Sequence, residues 1–192
     1  MKVVAFNGSP RKDGNTATLL KTVCAALENE GIGTELVQLG GRPIHGCRAC
    51  YRCMSTKDGR CAMDDDPLNE YLGMMAQADG ILIGSPTYFA DVTAETKCLI
   101  DRAGFAGRGH GTLFTRKVGA AVVSMRRAGA IHAFDTINHF FTINEMIVVG
   151  SSYWNVGIGQ SPNGVGADDE GIHTMRTLGK NMAWVLKKTG GR

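Results

Sequence analysis

The 192-residue chain contains no apolar run near the ~20 residues that a membrane span requires. Its first apolar stretch, Val3–Phe6, is too short for the core of a secretion signal. Neither sign of charge predominates, since 21 Lys and Arg against 18 Asp and Glu leave only +3. No basic run is interleaved with aromatics, so a groove for nucleic acid has no support. Six cysteines are too few for a disulfide scaffold. They read as reduced thiols of a soluble cytoplasmic protein, or as ligands of a metal. Internal repeats, low-complexity segments and linkers are lacking, so residues 1–192 read as one domain. Also missing are Gly-x-Gly-x-x-Gly, the Gly-Lys-Ser/Thr ending of a P-loop and the Gly-x-Ser-x-Gly elbow. These absences leave a dinucleotide fingerprint, an Mg²⁺-nucleotide site and a hydrolase nucleophile without a motif. The five histidines are dispersed, with no pair at helical metal-ligand spacing.

Glycine, in contrast, is abundant. Its 26 residues are about twice the average usage of ~7%, which points to tight turns or to backbone lying against a ligand. Short apolar runs alternate with longer amphipathic segments. Val3–Phe6, Thr34–Leu39, Gly80–Gly84, Val118–Val123 and Met146–Gly150 read as buried strands. Helical faces run over Thr16–Glu30, from Pro67 through Met75, over Thr93–Asp101, near Ile131–Phe141 and over Glu170–Lys187. Continuous apolar strands separated by helices imply a parallel sheet covered on both faces. Such sheets bind ligands beyond the carboxyl ends of their strands. The chemistry should therefore lie just after each strand.

After the first strand, Gly8-Ser9-Pro10-Arg11-Lys12-Asp13-Gly14-Asn15-Thr16 offers hydroxyls, a cation and free amides at a helix start. That is the equipment for holding a phosphate, although a plain turn capped by Asn15 or Thr16 would use the same residues. After the third strand, Pro86-Thr87-Tyr88-Phe89 could wall one side of a planar ring, or Tyr88 and Phe89 could fill core. After the fourth, Ser124-Met125-Arg126-Arg127-Ala128-Gly129 sets two cations at a strand end, where a solvated turn is the common alternative.

Phe6-Asn7-Gly8-Ser9-Pro10-Arg11, Gly14-Asn15-Thr16 and Gly84-Ser85-Pro86-Thr87-Tyr88 together resemble the flavodoxin-like NADPH-dependent FMN reductase family. The cysteine stretch and Ser152-Tyr153-Trp154-Asn155 extend the likeness toward its iron–sulfur flavoprotein branch, over nearly the whole chain. The resemblance implies an α/β, three-layer, doubly wound fold with a five-stranded parallel sheet in the order 2-1-3-4-5. It implies that Ser9, Arg11, Asn15 and Thr16 hold the FMN phosphate, and that no side chain need act as acid or base. Pro86, Thr87, Tyr88 and Phe89 would border the flavin, with Ser124, Arg126 and Gly129 on the neighbouring loop. Arg126 or Arg127 would stabilise negative charge on the reduced ring. A homodimer or homotetramer, with the flavin near a subunit interface, is further implied. So is an oxidoreductase in which NAD(P)H is the cosubstrate and a small molecule or protein accepts the electrons.

Cys47-x2-Cys50-x2-Cys53-x7-Cys61, in the aperiodic stretch 40–63, is the sharpest chemical feature. Four thiolates suit both a [4Fe–4S] cluster and zinc. The compact spacing favours the cluster, because zinc pairs usually sit far apart, and it fits the cysteine motif of iron–sulfur flavoproteins. Related FMN reductases keep Gly-Cys and Cys-Val-like elements here without a cluster, so structural or oxidant-sensitive thiols are an alternative. Two rival functions follow. One is an electron-transfer protein that takes electrons from a ferredoxin-like donor without oxidising NAD(P)H. The other is a thiol-based redox sensor or zinc-stabilised binding module. Cys24 and Cys98 read as buried packing residues, and Asp64-Asp65-Asp66 as a charge cluster at a helix start.

Overall fold

In the first strand, β1 (Lys2–Asn7), side chains point alternately to two faces, and both faces are apolar. Val4 and Phe6 join one core, and Val3 and Ala5 join another. The same division repeats in β3 (Gly80–Pro86), where Ile81 and Ile83 face one way and Leu82 the other. It repeats again in β4 (Val118–Met125), with Ala121 and Val123 opposite Ala120 and Val122. A strand buried on both faces needs helices above and below it. The computed structural model describes residues 1–190 and supplies them. On one face lie α1 (Asn15–Asn29) and α6 (Asp169–Thr189). On the other lie α3 (Leu68–Gln77), α4 (Ala94–His110) and α5 (Ala130–Ile143).

All pairings in the sheet are parallel, in the order β2-β1-β3-β4-β5 with β2 at Gly33–Gln38. This is the flavodoxin-like order, with helices on both sides. The chain runs from β1 outward to β2, then returns across β1 to β3, so the winding reverses between β1 and β3. In open α/β sheets that reversal opens a crevice at the carboxyl ends of the two strands.

The fifth position departs from the expected continuous strand. β5 is only Ile147–Val148, paired with Val118 and Gly119. The chain then leaves the sheet and returns as β6 (Val156–Ile158), paired with Val123, Ser124 and Met125. Gly150-Ser151-Ser152 cannot continue an apolar strand. Ser151 Oγ instead lies 2.6 Å from both Tyr153 O and Asn155 Oδ1, a local polar turn that competes with the ladder. Helix α4 also runs past its expected end at Asp101, to His110. Packing leaves no room for a side chain at two of its late glycines, and at Gly107 an added Cβ would lie 2.5 Å from the Phe114 ring. At Gly109 an added Cβ would lie 2.4 Å from Cys53 O. The cysteine-rich stretch is not wholly irregular either, since it folds a short helix, α2 (Arg52–Thr56). Among the described residues no helix is long and apolar enough to cross a membrane.

Candidate functional site

At the crevice between β1 and β3, the loops after β1, β3 and β4 are tied together by their own backbone. Gly8 N donates to Gly84 O at 2.8 Å, and Thr93 Oγ1 donates to Gly8 O at the same distance. Thr87 donates to Ser124 O through both its amide (2.8 Å) and its hydroxyl (3.2 Å). The buried hydroxyls of Thr16 and Ser124 share a 2.8 Å bond across the crevice floor. Behind the first loop, Asn7 Oδ1 accepts from Ser9 N, and Gln38 Nε2 donates to Ser9 O at 2.7 Å. Ser9 Oγ accepts from Arg11 N at 3.2 Å, which leaves its own proton free to donate elsewhere.

Helix α1 starts here at Gly14, and no side chain caps it. The first amides of a helix lack intrahelical acceptors, and together with the helix dipole they favour an anion. Arg11 and Lys12 stand exposed beside them, while Asp13 is paired with Lys21 at 2.8 Å. That pair, first through its hydrogen bond and then through charge, holds the Asp13 carboxyl below its usual range. The donor set of the loop is therefore cationic and unfilled, as a phosphate monoester requires.

The expected residues do not all converge on it. Ser9, Thr16, Thr87, Ser124 and Gly129 gather around the three loops. The Asn15 side chain turns away to clamp a distant segment: its Nδ2 donates to Gly159 O (3.3 Å) and Ser161 O (3.0 Å), and its Oδ1 accepts from Val165 N. Gly159 is required there, because a Cβ would lie 2.3 Å from Asn15 Nδ2. Tyr88 and Phe89 are exposed to solvent. Residues Tyr88 to Asp91 close a tight two-residue turn with Phe89 (φ 48°) and Ala90 (φ 66°) in the left-handed region, and Phe89 is fully exposed. Arg126 is exposed at the end of β4, as is Arg127. Pro86 closes β3, opposite Ser124.

The second feature lies under α4. Cys47, Cys50, Cys53 and Cys61 line one pocket, whose remaining wall includes Tyr51, Met63, Arg102 and Phe105. Left-handed backbone at Ala49 (φ 50°) and Tyr51 (φ 55°) curls the Cys47–Cys53 segment around it. Ala49 N points at Cys47 Sγ from 3.4 Å. Burial, and then the neighbouring Cys61 thiol, push the Cys53 thiol upward. Arg48 stands in the pocket wall, while along the same stretch the exposed Arg42, Arg52, Lys57 and Arg60 are interspersed with the exposed carboxylates of Asp58, Asp64 and Asp65, Arg60 pairing with Asp64 at 3.6 Å.

Three residues that carry this pocket were not foreseen. Arg102, 1% exposed, donates through Nε to Cys61 Sγ (3.3 Å), through Nη1 to His45 O (3.1 Å) and through Nη2 to Met63 O (3.1 Å). It also pairs with Asp66, and neither side chain of that pair is exposed to solvent. Burial alone would raise the Asp66 carboxyl. The Arg102 bond, with the amides of His45 and Leu68, brings it below its ordinary value instead. Asn69 grips the Cys61 backbone from both sides, accepting from its amide (2.9 Å) and donating to its carbonyl (3.0 Å). Asp66 thus corrects the reading of residues 64–66 as a helix-start charge cluster. One of its oxygens does accept from Leu68 N, but the other faces inward to Arg102. A signal for Arg102 existed in the sequence, since it shares the buried face of α4 with Leu99, Ala103 and Ala106.

Among the described residues, three or more His, Cys, Asp and Glu side chains bring ligand atoms within 4.8 Å of one another only at His45, Asp65 and Asp66. No three of the four cysteine sulfurs lie within 4.8 Å of one another. Outside it, Cys24 is buried, and burial pushes its thiol up to about 11. Cys98 is only half-buried.

Comparison with known proteins bears on both features. The sequence model described as NADPH-dependent FMN reductase matches residues 1–161. An iron–sulfur flavoprotein of Methanocaldococcus jannaschii is 39% identical over 199 aligned positions, covering 97% of this chain and 98% of its own. Among solved structures, RosB with bound 8-demethyl-8-formylriboflavin-5′-phosphate superposes with a TM-score of 0.74 at 19% identity, covering 98% of this chain and 81% of that one. A WrbA-like flavodoxin from Agrobacterium tumefaciens gives 0.67 at 15% identity, covering 97% of each chain. These two structural likenesses concern the fold.

Proposed function

The chain belongs to the NADPH-dependent FMN reductase family, in its iron–sulfur flavoprotein branch, and from that premise we propose an FMN- and [4Fe–4S]-dependent oxidoreductase. It would take electrons from NAD(P)H and deliver them to a small-molecule or protein acceptor. When bound, FMN supplies a hydride acceptor able to release electrons singly, and the cluster supplies a one-electron carrier. The observation that carries this reading is the convergence of all four motif cysteines on one pocket.

The protein's own contribution is positional and electrostatic. The uncapped start of α1, the Ser9 hydroxyl and the Arg11 guanidinium would hold the phosphate end of FMN. Asn15 would contribute indirectly, by keeping the Gly159–Val165 segment against the helix start. The Thr16–Ser124 bond fixes the spacing of two loops, and the Thr87–Ser124 bonds fix the third. Arg126 or Arg127, exposed at the end of β4, would supply positive potential to the reduced ring. In the cysteine pocket, the thiolates would ligate iron, with Ala49 N and Arg102 Nε donating toward sulfur. Tetrahedral zinc, with Zn–S near 2.3 Å, would bring its sulfurs to about 3.8 Å from one another; the compact Cys47-x2-Cys50-x2-Cys53 spacing favours the cluster instead.

The deciding experiment is anaerobic purification, followed by an absorption spectrum with iron, zinc, acid-labile sulfide and FMN assayed on one sample. About four iron and four sulfide per chain with one FMN are expected. Stoichiometric zinc, or FMN without sulfide, would overturn the cluster, and failure to bind added FMN would overturn the whole reading. Stopped-flow mixing with NADH and NADPH then tests the donor, with rapid flavin bleaching expected. The exposure of Cys47 and Cys50 at this pocket favours a second reading, in which a ferredoxin-like donor replaces the nicotinamide. Bleaching by neither nucleotide would select it.

A further inference from the structure

The contact between Arg102 and Cys61 is more than a packing detail. Three of the four polar attachments of Arg102 are explained by architecture: His45 O, Met63 O and Asp66 hold two loops against α4. The fourth, Nε to Cys61 Sγ at 3.3 Å, joins nothing that those three leave loose, because Asn69 already grips the Cys61 backbone on both sides. Cys61 therefore differs from Cys47 and Cys50, which sit exposed on the left-handed segment. Its sulfur alone faces a buried guanidinium, and that guanidinium is neutralised by a carboxylate out of solvent. Hydrogen bonds to cluster sulfurs and nearby charge are among the factors that set cluster potentials.

We infer that the Arg102–Asp66 pair sets the reduction potential of the cluster through Cys61, with Arg102 raising it and Asp66 holding that rise in check. The inference rests on the cluster proposed above. Reduction adds one negative charge to the cluster. A buried cation with an N–H aimed at a ligand sulfur stabilises that charge, and a buried carboxylate beside it opposes the effect. Arg102 is a positioning and tuning residue, not a ligand. The two members of the ion pair consequently act on the potential with opposite signs, although both act on the fold in the same direction.

The test is an anaerobic redox titration followed by electron paramagnetic resonance of the cluster, in the full protein and in R102Q, D66N and R102K. Iron and sulfide are assayed on every sample. In R102Q the one-electron equilibrium for reduction should weaken at least tenfold, a negative shift of ~59 mV. D66N should shift positive. R102K, which keeps the charge but not the Nε–H···S bond, should fall between wild type and R102Q. Shifts of the same sign in R102Q and D66N, or unchanged potentials in cluster-loaded variants, would overturn the inference. Where a neutral variant comes out without iron, R102K decides, a negative shift supporting the inference and an unchanged potential refuting it. Loss of iron from all three variants in folded protein would make Arg102 a structural pin only. A wild-type protein without iron and sulfide would instead fail the cluster reading itself.

Discussion

The crevice at the sheet end and the cysteine pocket are built by opposite means. The crevice is made of loops that each begin where a strand ends, and the parallel register sets their mutual distances: Asn7 stands opposite Gly84, and Pro86 opposite Ser124. Much of its cohesion is backbone hydrogen bonding among Gly8, Gly84, Thr87 and Ser124. The cysteine pocket has no strand beneath its motif. Its segment is held by side chains from two helices, Asn69 on α3 and Arg102 on α4, and by one buried ion pair. A site of the first kind follows from the fold, whereas a site of the second kind depends on a few long-range polar contacts. Single substitutions should therefore act more sharply on the second.

The largest effect is expected from Cys61→Ser. Iron and sulfide should be lost together while FMN stays bound at one per chain, as measured by metal analysis and flavin fluorescence on the same preparation. Joint loss of FMN would mean that the two sites are not built independently. Next comes Asp66→Ala, which leaves the Arg102 charge buried without a partner. Breaking such a pair typically costs about 3–5 kcal/mol, to be read from urea unfolding of the apoprotein. A loss under about 1 kcal/mol, the scale of an exposed pair, would show that the loops stand without it. The same pair gives a sign for acid. Because the native Asp66 carboxyl lies below its unfolded value, its stabilisation is complete above that unfolded value of ~3.9. It fades as pH falls through the lower native value.

At the crevice the expected losses are smaller. Asn15→Ala removes the clamp on the Gly159–Val165 segment and should weaken FMN binding about tenfold, ~1.4 kcal/mol, in a titration of apoprotein followed by fluorescence. Combining it with Thr16→Ala should weaken binding further, and unchanged retention in the double variant would remove this loop from the phosphate site. The smallest effect is a gain. Ala90 has φ 66°, where glycine is unstrained, so Ala90→Gly should stabilise the folded chain by roughly 0.5 kcal/mol once glycine's greater unfolded-state entropy is offset. A loss of stability in thermal unfolding would mean that the turn is not strained in that way.

Legibility in the sequence follows the same division. Alternating apolar runs, the Gly8–Thr16 loop and the cysteine spacing are local signals, written in consecutive residues, and they led to the parallel sheet and to the two candidate sites, while the strand order came from the family resemblance. The signal failed where a local polar turn or neighbours in space overrode it. Gly150-Ser151-Ser152 interrupted an edge strand that Val148 and Val149 had promised. Gly109 sat inside α4, where Cys53 O leaves no room for a side chain. Asn15 stood in the expected loop, but its amide was claimed by a segment some 145 residues away.

What the sequence determined by itself is the layered parallel sheet and the position of its ligand-bearing loops, because hydrophobic periodicity and turn chemistry act over a few residues. It also specified the four thiols, since their spacing is a property of the chain. Only the tertiary structure decided that Cys61 is the gripped cysteine, that Asp66 faces inward and that Arg102 joins them. The Arg102 contacts link residues 36 to 57 positions apart. Burying a guanidinium is tolerated only where carbonyls, a sulfur and a carboxylate meet it at once. No stretch of consecutive residues encodes that coincidence.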